Sequence, residues 1–151
     1  MKNSMKANRV GRATIFRTYT DANSSIINLR TEVFVKEQGE SLSDEFGDEE
    51  NKFHCCLYQD GVLLAYARYS FKDVSLGYID RVAVIREKRK NGYGRQIVLF
   101  AEKKIDALGC RRFEINSQVQ AKGFYEKLGY KTEGEMFLEI GIPHVKMTKQ
   151  L

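Results

Sequence analysis

The chain has 151 residues, 42% apolar and 30% charged, which suits one soluble domain with a core of its own. No apolar run approaches the roughly 20 residues of a spanning helix, and the basic N-terminus lacks the apolar segment of a secretory signal. A cytoplasmic protein with no membrane contact is the expectation, and the net charge of +5 adds no nucleic-acid footprint. Lys2, Lys6, Arg9 and Arg12 supply four of those charges in a loose tail over 1–12, whereas 13–151, one domain, holds 21 basic against 20 acidic residues.

Taken in order, Ala13 to Thr20 alternate as a strand. Asp21 can cap a helix to about Glu37, with Ile26, Ile27, Leu29, Arg30, Val33 and Phe34 in helical spacing. The acidic stretch S-L-S-D-E-F-G-D-E-E-N then reads as a loop with room for one helical turn. Strands over Phe53–Gln59 and Val62–Phe71 flank Asp60-Gly61, a strong hairpin signal.

A further strand runs from Val74 to Ile85 and meets R-E-K-R-K-N-G-Y-G-R. From Gly94 a helix reaches Leu108, with Ile97, Ala101, Ile105 and Leu108 on one face, and Gly109 stops it. Arg111 to Asn116 form a strand and Gln120 to Leu128 a short helix. Tyr130 to Gln150 form two strands bent at Gly141-Ile142-Pro143. The order β-α-β-β-β-α-β-α-β-β describes a mixed α/β sheet with helices packed on it.

Three cysteines build no framework. Cys55 and Cys56 are adjacent on a strand and face opposite ways, Cys110 stands alone, and no C-x-x-C occurs, so buried thiols are expected rather than disulfides or a metal site. The two glycines of R-E-K-R-K-N-G-Y-G-R carry more information. At a strand-to-helix junction they leave several helix N-terminal N–H groups unpartnered and open to a pyrophosphate, with Lys88, Arg89, Lys90 and Arg95 adding charge. The pattern is neither a P-loop nor G-x-G-x-x-G, since Ile97 occupies the last position. A plain turn is the competing interpretation.

V-A-V-I-R-E-K-R-K-N-G-Y-G-R-Q resembles the acetyl-coenzyme A signature Q/R-x-x-G-x-G/A of the GNAT superfamily of N-acetyltransferases. One strand later, Q-V-Q-A-K-G-F-Y-E-K-L-G-Y resembles that family's N-x-x-A-x-x-L-Y-x-x-x-G-F. Val33 to Gln38 (V-F-V-K-E-Q), the acidic loop, His54 and G-I-P-H-V-K-M resemble the ElaA-like branch. The resemblance covers about Thr14 to Lys149 and implies the GNAT fold with acetyl-coenzyme A as acyl donor. It implies that Arg89, Lys90, Asn91, Gly92, Tyr93, Gly94 and Arg95 wrap the pyrophosphate, chiefly by backbone amides. Val82 and Val84 would bond the pantetheine arm on a splayed strand, with Gln118 and Tyr125 also touching the cofactor.

Acetyl transfer needs a neutral amine, a stabilised oxyanion and a proton for the departing thiolate. Tyr125 matches the family's proton donor, and a phenol near pKa ~10 suits an alkyl thiol; its alternative is a place on the apolar face of a short helix. Tyr78 stands where some relatives carry a catalytic glutamate. By the period of two, Tyr78, Asp80, Val82 and Val84 share one face, which makes Asp80 the first substitute as general base and Glu37 the second. Either can instead be an ion-pair partner, for example to Arg81 or Lys36, and solvent can take the proton. His54 and His144 are candidates for the acceptor site. The acidic loop over Asp44 to Glu50 would steer a cationic amine if it lines the cleft. A small-molecule or peptide amine is the expected acceptor, a homodimer through the C-terminal strands is left open, and no cysteine in either motif supports a covalent route. A non-catalytic acetyl-coenzyme A sensor and a nucleic-acid binder are the rival functions.

Overall fold

The computed structural model describes residues 13–151, so the tail over 1–12 lies outside the described residues. Seven strands form one mixed sheet in the order β1-β2-β3-β4-β5-β7-β6. They are β1 (Thr14–Tyr19), β2 (Phe53–Gln59), β3 (Val62–Asp73), β4 (Leu76–Val84), β5 (Arg112–Gln118), β6 (Lys131–Glu139) and β7 (Ile142–Gln150). All neighbours are antiparallel except β4 and β5, the pair joined by the long crossover helix. Asp60 and Gly61 turn the β2–β3 hairpin with φ of 52° and 76°, both in the left-handed region that such a turn demands.

The helices are α1 (Ser24–Arg30), α2 (Leu42–Phe46), α3 (Tyr93–Ala107) and α4 (Lys122–Lys127). Asn23, not Asp21, caps α1, its side-chain oxygen accepting from Ile26 N at 3.0 Å. The helix then widens to a π-helical stretch over Thr31–Glu37. It ends where Gly39, at φ 78°, lets Glu40 N–H reach back to Phe34 O at 3.0 Å. Ser41 caps the single turn of α2 inside the acidic stretch.

Two apolar cores lie on opposite faces of the sheet. On one, Ile97, Ala101 and Ile105 of α3 pack on Leu57, Ala67, Ile79 and Phe113; on the other, Ile26, Leu29, Val33 and Phe34 cover Leu63, Tyr66 and Ala83. Each fully buried Leu, Ile, Val or Phe among them contributes roughly 1.5–3 kcal/mol. Cys55 joins the first core and Cys56 the second, as strand alternation requires. Leu108 departs from the expected face of α3: it is the C-cap residue, past the helical rotation, and is 65% exposed.

Candidate active site

β4 and β5 are paired only at Gly77↔Phe113 and Tyr78↔Glu114. Beyond that point no ladder joins them, and a cleft of about 450 Å³ opens in the sheet. Val82, Ser117, Ala121 and Tyr125 line one part of it, and Gln38, Glu40, Asp80, Asn116, Glu139 and His144 another. The splay leaves backbone groups of β4 and β5 without strand partners, which is what an extended ligand arm needs.

A bulge sits on this strand. Cα partners jump from Asp80↔Arg68 to Ala83↔Tyr66, so Arg81 and Val82 together oppose Ala67, and Arg81 adopts φ 54°. The extra residue inverts the alternation. Asp80 faces the α1 side through Arg68, whereas Val82 and Val84 pack with the α3-side core and Ala83 takes the α1 side. The expected shared face of Tyr78, Asp80, Val82 and Val84 is therefore corrected: a period of two does not survive a bulge.

At the strand-to-helix junction, Gly92 is the N-cap of α3 at φ 83° and no side chain caps the helix. The first ladder bond runs from Gln96 N to Gly92 O at 3.1 Å, so the amides of Tyr93, Gly94 and Arg95 precede the ladder. A Cβ at Gly94 would meet the Phe124 ring at 3.3 Å, a close approach between α3 and α4. Lys90 shares the left-handed conformation at φ 66°, and Asn91 Nδ2 ties the turn by donating to Lys88 O and Arg89 O.

Arg89 is placed otherwise than expected. Its amide donates to Arg86 O at 3.4 Å, its Nε to Val84 O at 3.0 Å, and its two terminal nitrogens to both oxygens of Glu37 at 3.0 and 2.9 Å. Glu37 is accordingly not on the cleft wall. Arg89, with Arg86, holds its carboxylate below the usual range, as suits an ion-pair partner.

Tyr125 lies in the cleft, 7% exposed, its ring edge-on to Phe124 and Tyr130. Burial, and after it the charge of Asp80, raise its hydroxyl above the ordinary phenol value, so it keeps its proton at neutral pH. Gln118 also lines the cleft and donates to Gln38 Oε1 at 3.2 Å, linking β5 to the end of the first helix.

The acidic loop is mainly a structural cap, with Asp48 alone of Asp44 to Glu50 on the cleft wall. Arg30, fully buried on α1, binds Glu45 Oε1 at 2.7 Å and Glu49 Oε1 at 2.5 Å and stacks on Phe46 at 4.6 Å. Arg68 grips both oxygens of Asp80 at 2.8 and 2.6 Å and also reaches Glu49. Arg81 Nε stands 2.9 Å from Glu45 Oε2. His54 belongs to this network and not to an acceptor site: it is 1% exposed, absent from the cleft wall, and bonded to Tyr66 Oη at 2.5 Å. Burial holds its imidazole below the usual value. His144 does line the cleft, with Nδ1 donating to Ile142 O at 2.7 Å and Nε2 3.3 Å from Glu139.

Sequence reasoning missed Glu40, Arg68 and Asn116 on the cleft wall. Only the Q-G-E following the first helix hinted at Glu40, as the residue after a C-terminal glycine stop.

A sequence model described as the acetyltransferase (GNAT) domain matches residues 15–151. The chain is 40% identical over 126 residues to a Bacillus subtilis (strain 168) protein whose name assigns it provisionally to the acetyltransferases, covering 81% of this chain and 85% of that one. A solved acyl-CoA N-acyltransferase from Pseudomonas aeruginosa superposes with a TM-score of 0.78 at 26% identity, covering 91% and 99%. Escherichia coli ElaA superposes with a TM-score of 0.77 at 23% identity over 91% and 100%, a likeness of fold.

Proposed function

The chain belongs to the GNAT acetyltransferase family, and from that premise we propose that it transfers an acetyl group from acetyl-coenzyme A directly to a primary amine of a small molecule or peptide in the cytoplasm. The observation that carries this reading is the junction of the β4–β5 splay with the uncapped start of α3. Acetyl-coenzyme A supplies an acyl group already activated as a thioester. The amides of Tyr93, Gly94 and Arg95, with Lys88 and Lys90 beside them, would hold its pyrophosphate where the helix dipole is positive. The unpaired edge of β4 around Val82 would bond the pantetheine arm.

Tyr125 holds the proton that the departing thiolate requires, and its raised pKa keeps that proton in place until it is needed. Cys55 and Cys56 do not compete as nucleophiles, since burial pushes both thiols up to about 12. A nucleic-acid surface finds no support at the basic knot, where Arg86 and Arg89 are engaged by Glu37.

Isothermal titration with acetyl-coenzyme A tests the reading on the wild type and on a Gly92→Asp, Gly94→Asp double variant. Binding near the micromolar range, about −8 kcal/mol, is expected for the wild type and none for the variant. A folded wild type that fails to bind overturns the reading. Binding with no turnover across a panel of primary amines would instead select a cofactor sensor.

A further inference from the structure

A primary amine is an ammonium ion at neutral pH, so direct transfer requires that a proton leave before attack, and a carboxylate in the cleft can take it. Four carboxylates line the cleft: Glu40, Asp48, Asp80 and Glu139. Asp80 has both oxygens chelated by Arg68. Glu139 faces His144 at 3.3 Å and accepts from Asn116 Nδ2 at 3.4 Å. Asp48 is 77% exposed at its side chain and pairs with Lys52 at 3.7 Å. Glu40 differs from all three, because its Oε2 is buried and has no hydrogen-bond donor among the described residues.

Charge balance beneath the cleft explains that oxygen. Arg30, Arg68 and Arg81 are matched one for one by Glu45, Glu49 and Asp80. Glu40 is a fourth carboxylate without a guanidinium of its own, within hydrogen-bonding reach of the buried Glu45 carboxyl. A second carboxyl that close disfavours the charged form of Glu45 and favours a proton on it. The position of Glu40 is fixed by backbone, through the Glu40 N–H to Phe34 O bond that closes the first helix.

We propose that Glu40, coupled to Glu45, is the proton acceptor for the incoming amine; the proposal rests on the transferase reading above. An ammonium entering the cleft pairs with the Glu40 carboxylate. One N–H bond breaks, its proton bonds to the carboxylate oxygen and is shared with Glu45, and the electron pair stays on nitrogen as the nucleophile. The second proton, released from nitrogen after attack, replaces the one that Tyr125 gives up. The charged groups facing the pair are Arg30 from α1, Arg81 from β4 and Glu49 from the acidic loop, with Lys52 at the rim. Burial raises Glu45 to about 7 against the pull of the two arginines, and the Glu40 contact adds to that rise.

The first test uses the free protein labelled with carboxyl-¹³C glutamate and needs no amine. Glu45 is expected to titrate between about pH 6 and 8 in the wild type and, since burial is the first cause of its rise and the Glu40 contact a further one, at a measurably lower pH in Glu40→Gln. In parallel, both proteins are titrated with acetyl-coenzyme A and assayed for transfer to spermidine and to Nα-acetyl-lysine amide. Glu40→Gln should bind the cofactor as the wild type does. It should lose about 10²-fold or more in kcat/KM on any amine that turns over, along with the rise of that rate through neutral pH. The proposal is overturned by a spectrum in which no glutamate titrates in that range or in which the titration is unmoved in Glu40→Gln, or by a Glu40→Gln variant with the wild-type pH profile and kcat/KM. Because the titration is read without cofactor or amine, its outcome stays separable from failure of the transferase reading.

Discussion

The strand-to-helix junction and the acceptor wall sit on the same cleft and are built in opposite ways. The junction is ten consecutive residues, Arg86 to Arg95, whose work is done by backbone: a left-handed Gly92, a small Gly94 and three uncapped amides. The acceptor wall gathers side chains from the π-helical stretch and the turn after it, the acidic loop, three strands and the last hairpin, and charge pairs between different segments hold it together. On the proposed function, cofactor recognition is local and portable, whereas acceptor recognition is a tertiary construction. This is why one fold can keep its donor and change its acceptor.

The largest effect should come from the residue that stands between the two regions. Tyr125→Phe removes the proposed proton donor while leaving the ring that packs on Phe124 and Tyr130. A fall of roughly 10²–10⁴-fold in kcat is expected with cofactor affinity unchanged, measured by thiol release and calorimetry. Unchanged kcat would make Tyr125 a packing residue only.

Next in size is a break in the ion-pair network beneath the acceptor wall. Arg30→Met leaves Glu45 and Glu49 without their shared guanidinium in a buried setting. Removing one partner of such a network costs about 3–5 kcal/mol, visible in chemical denaturation as a lower midpoint. If the two regions are as separate as their construction suggests, the variant, where still folded, keeps its affinity for acetyl-coenzyme A.

The same contrast decides what was legible in the sequence. Element types, the hairpin at Asp60-Gly61 and the opposite faces of Cys55 and Cys56 follow from local periodicity, and the structure agrees. Local reading failed where tertiary structure overrides the period. The bulge at Arg81 inverted the faces of β4 past Asp80, and no residue type in D-R-V-A-V signals it. Glu37 and His54 carry chemistry suited to a site, but ion pairing turns one toward Arg89 and burial seals the other behind Tyr66. Glu40 was passed over because its value lies in the guanidinium it lacks. That can be seen only after Arg30, Arg68 and Arg81 have found their partners.

The smallest effect is a change in how stability depends on pH, and it bears on that missing guanidinium. Glu45 titrates from 4.5 in the unfolded chain to about 7 in the fold. Between these values the native state binds more protons than the unfolded state, so this contribution to stability is complete below about 4.5 and is lost as pH rises through about 7. Glu40→Gln replaces the competing carboxylate with an amide that can donate to Glu45, doing permanently what the shared proton does only at low pH. The variant should therefore match the wild type near pH 5 and exceed its thermal midpoint near pH 8. A wild type at least as stable as the variant at pH 8 would show that the two carboxyls are not coupled. A variant that gains stability while losing turnover would locate at Glu40 a charge kept for chemistry at a cost to the fold.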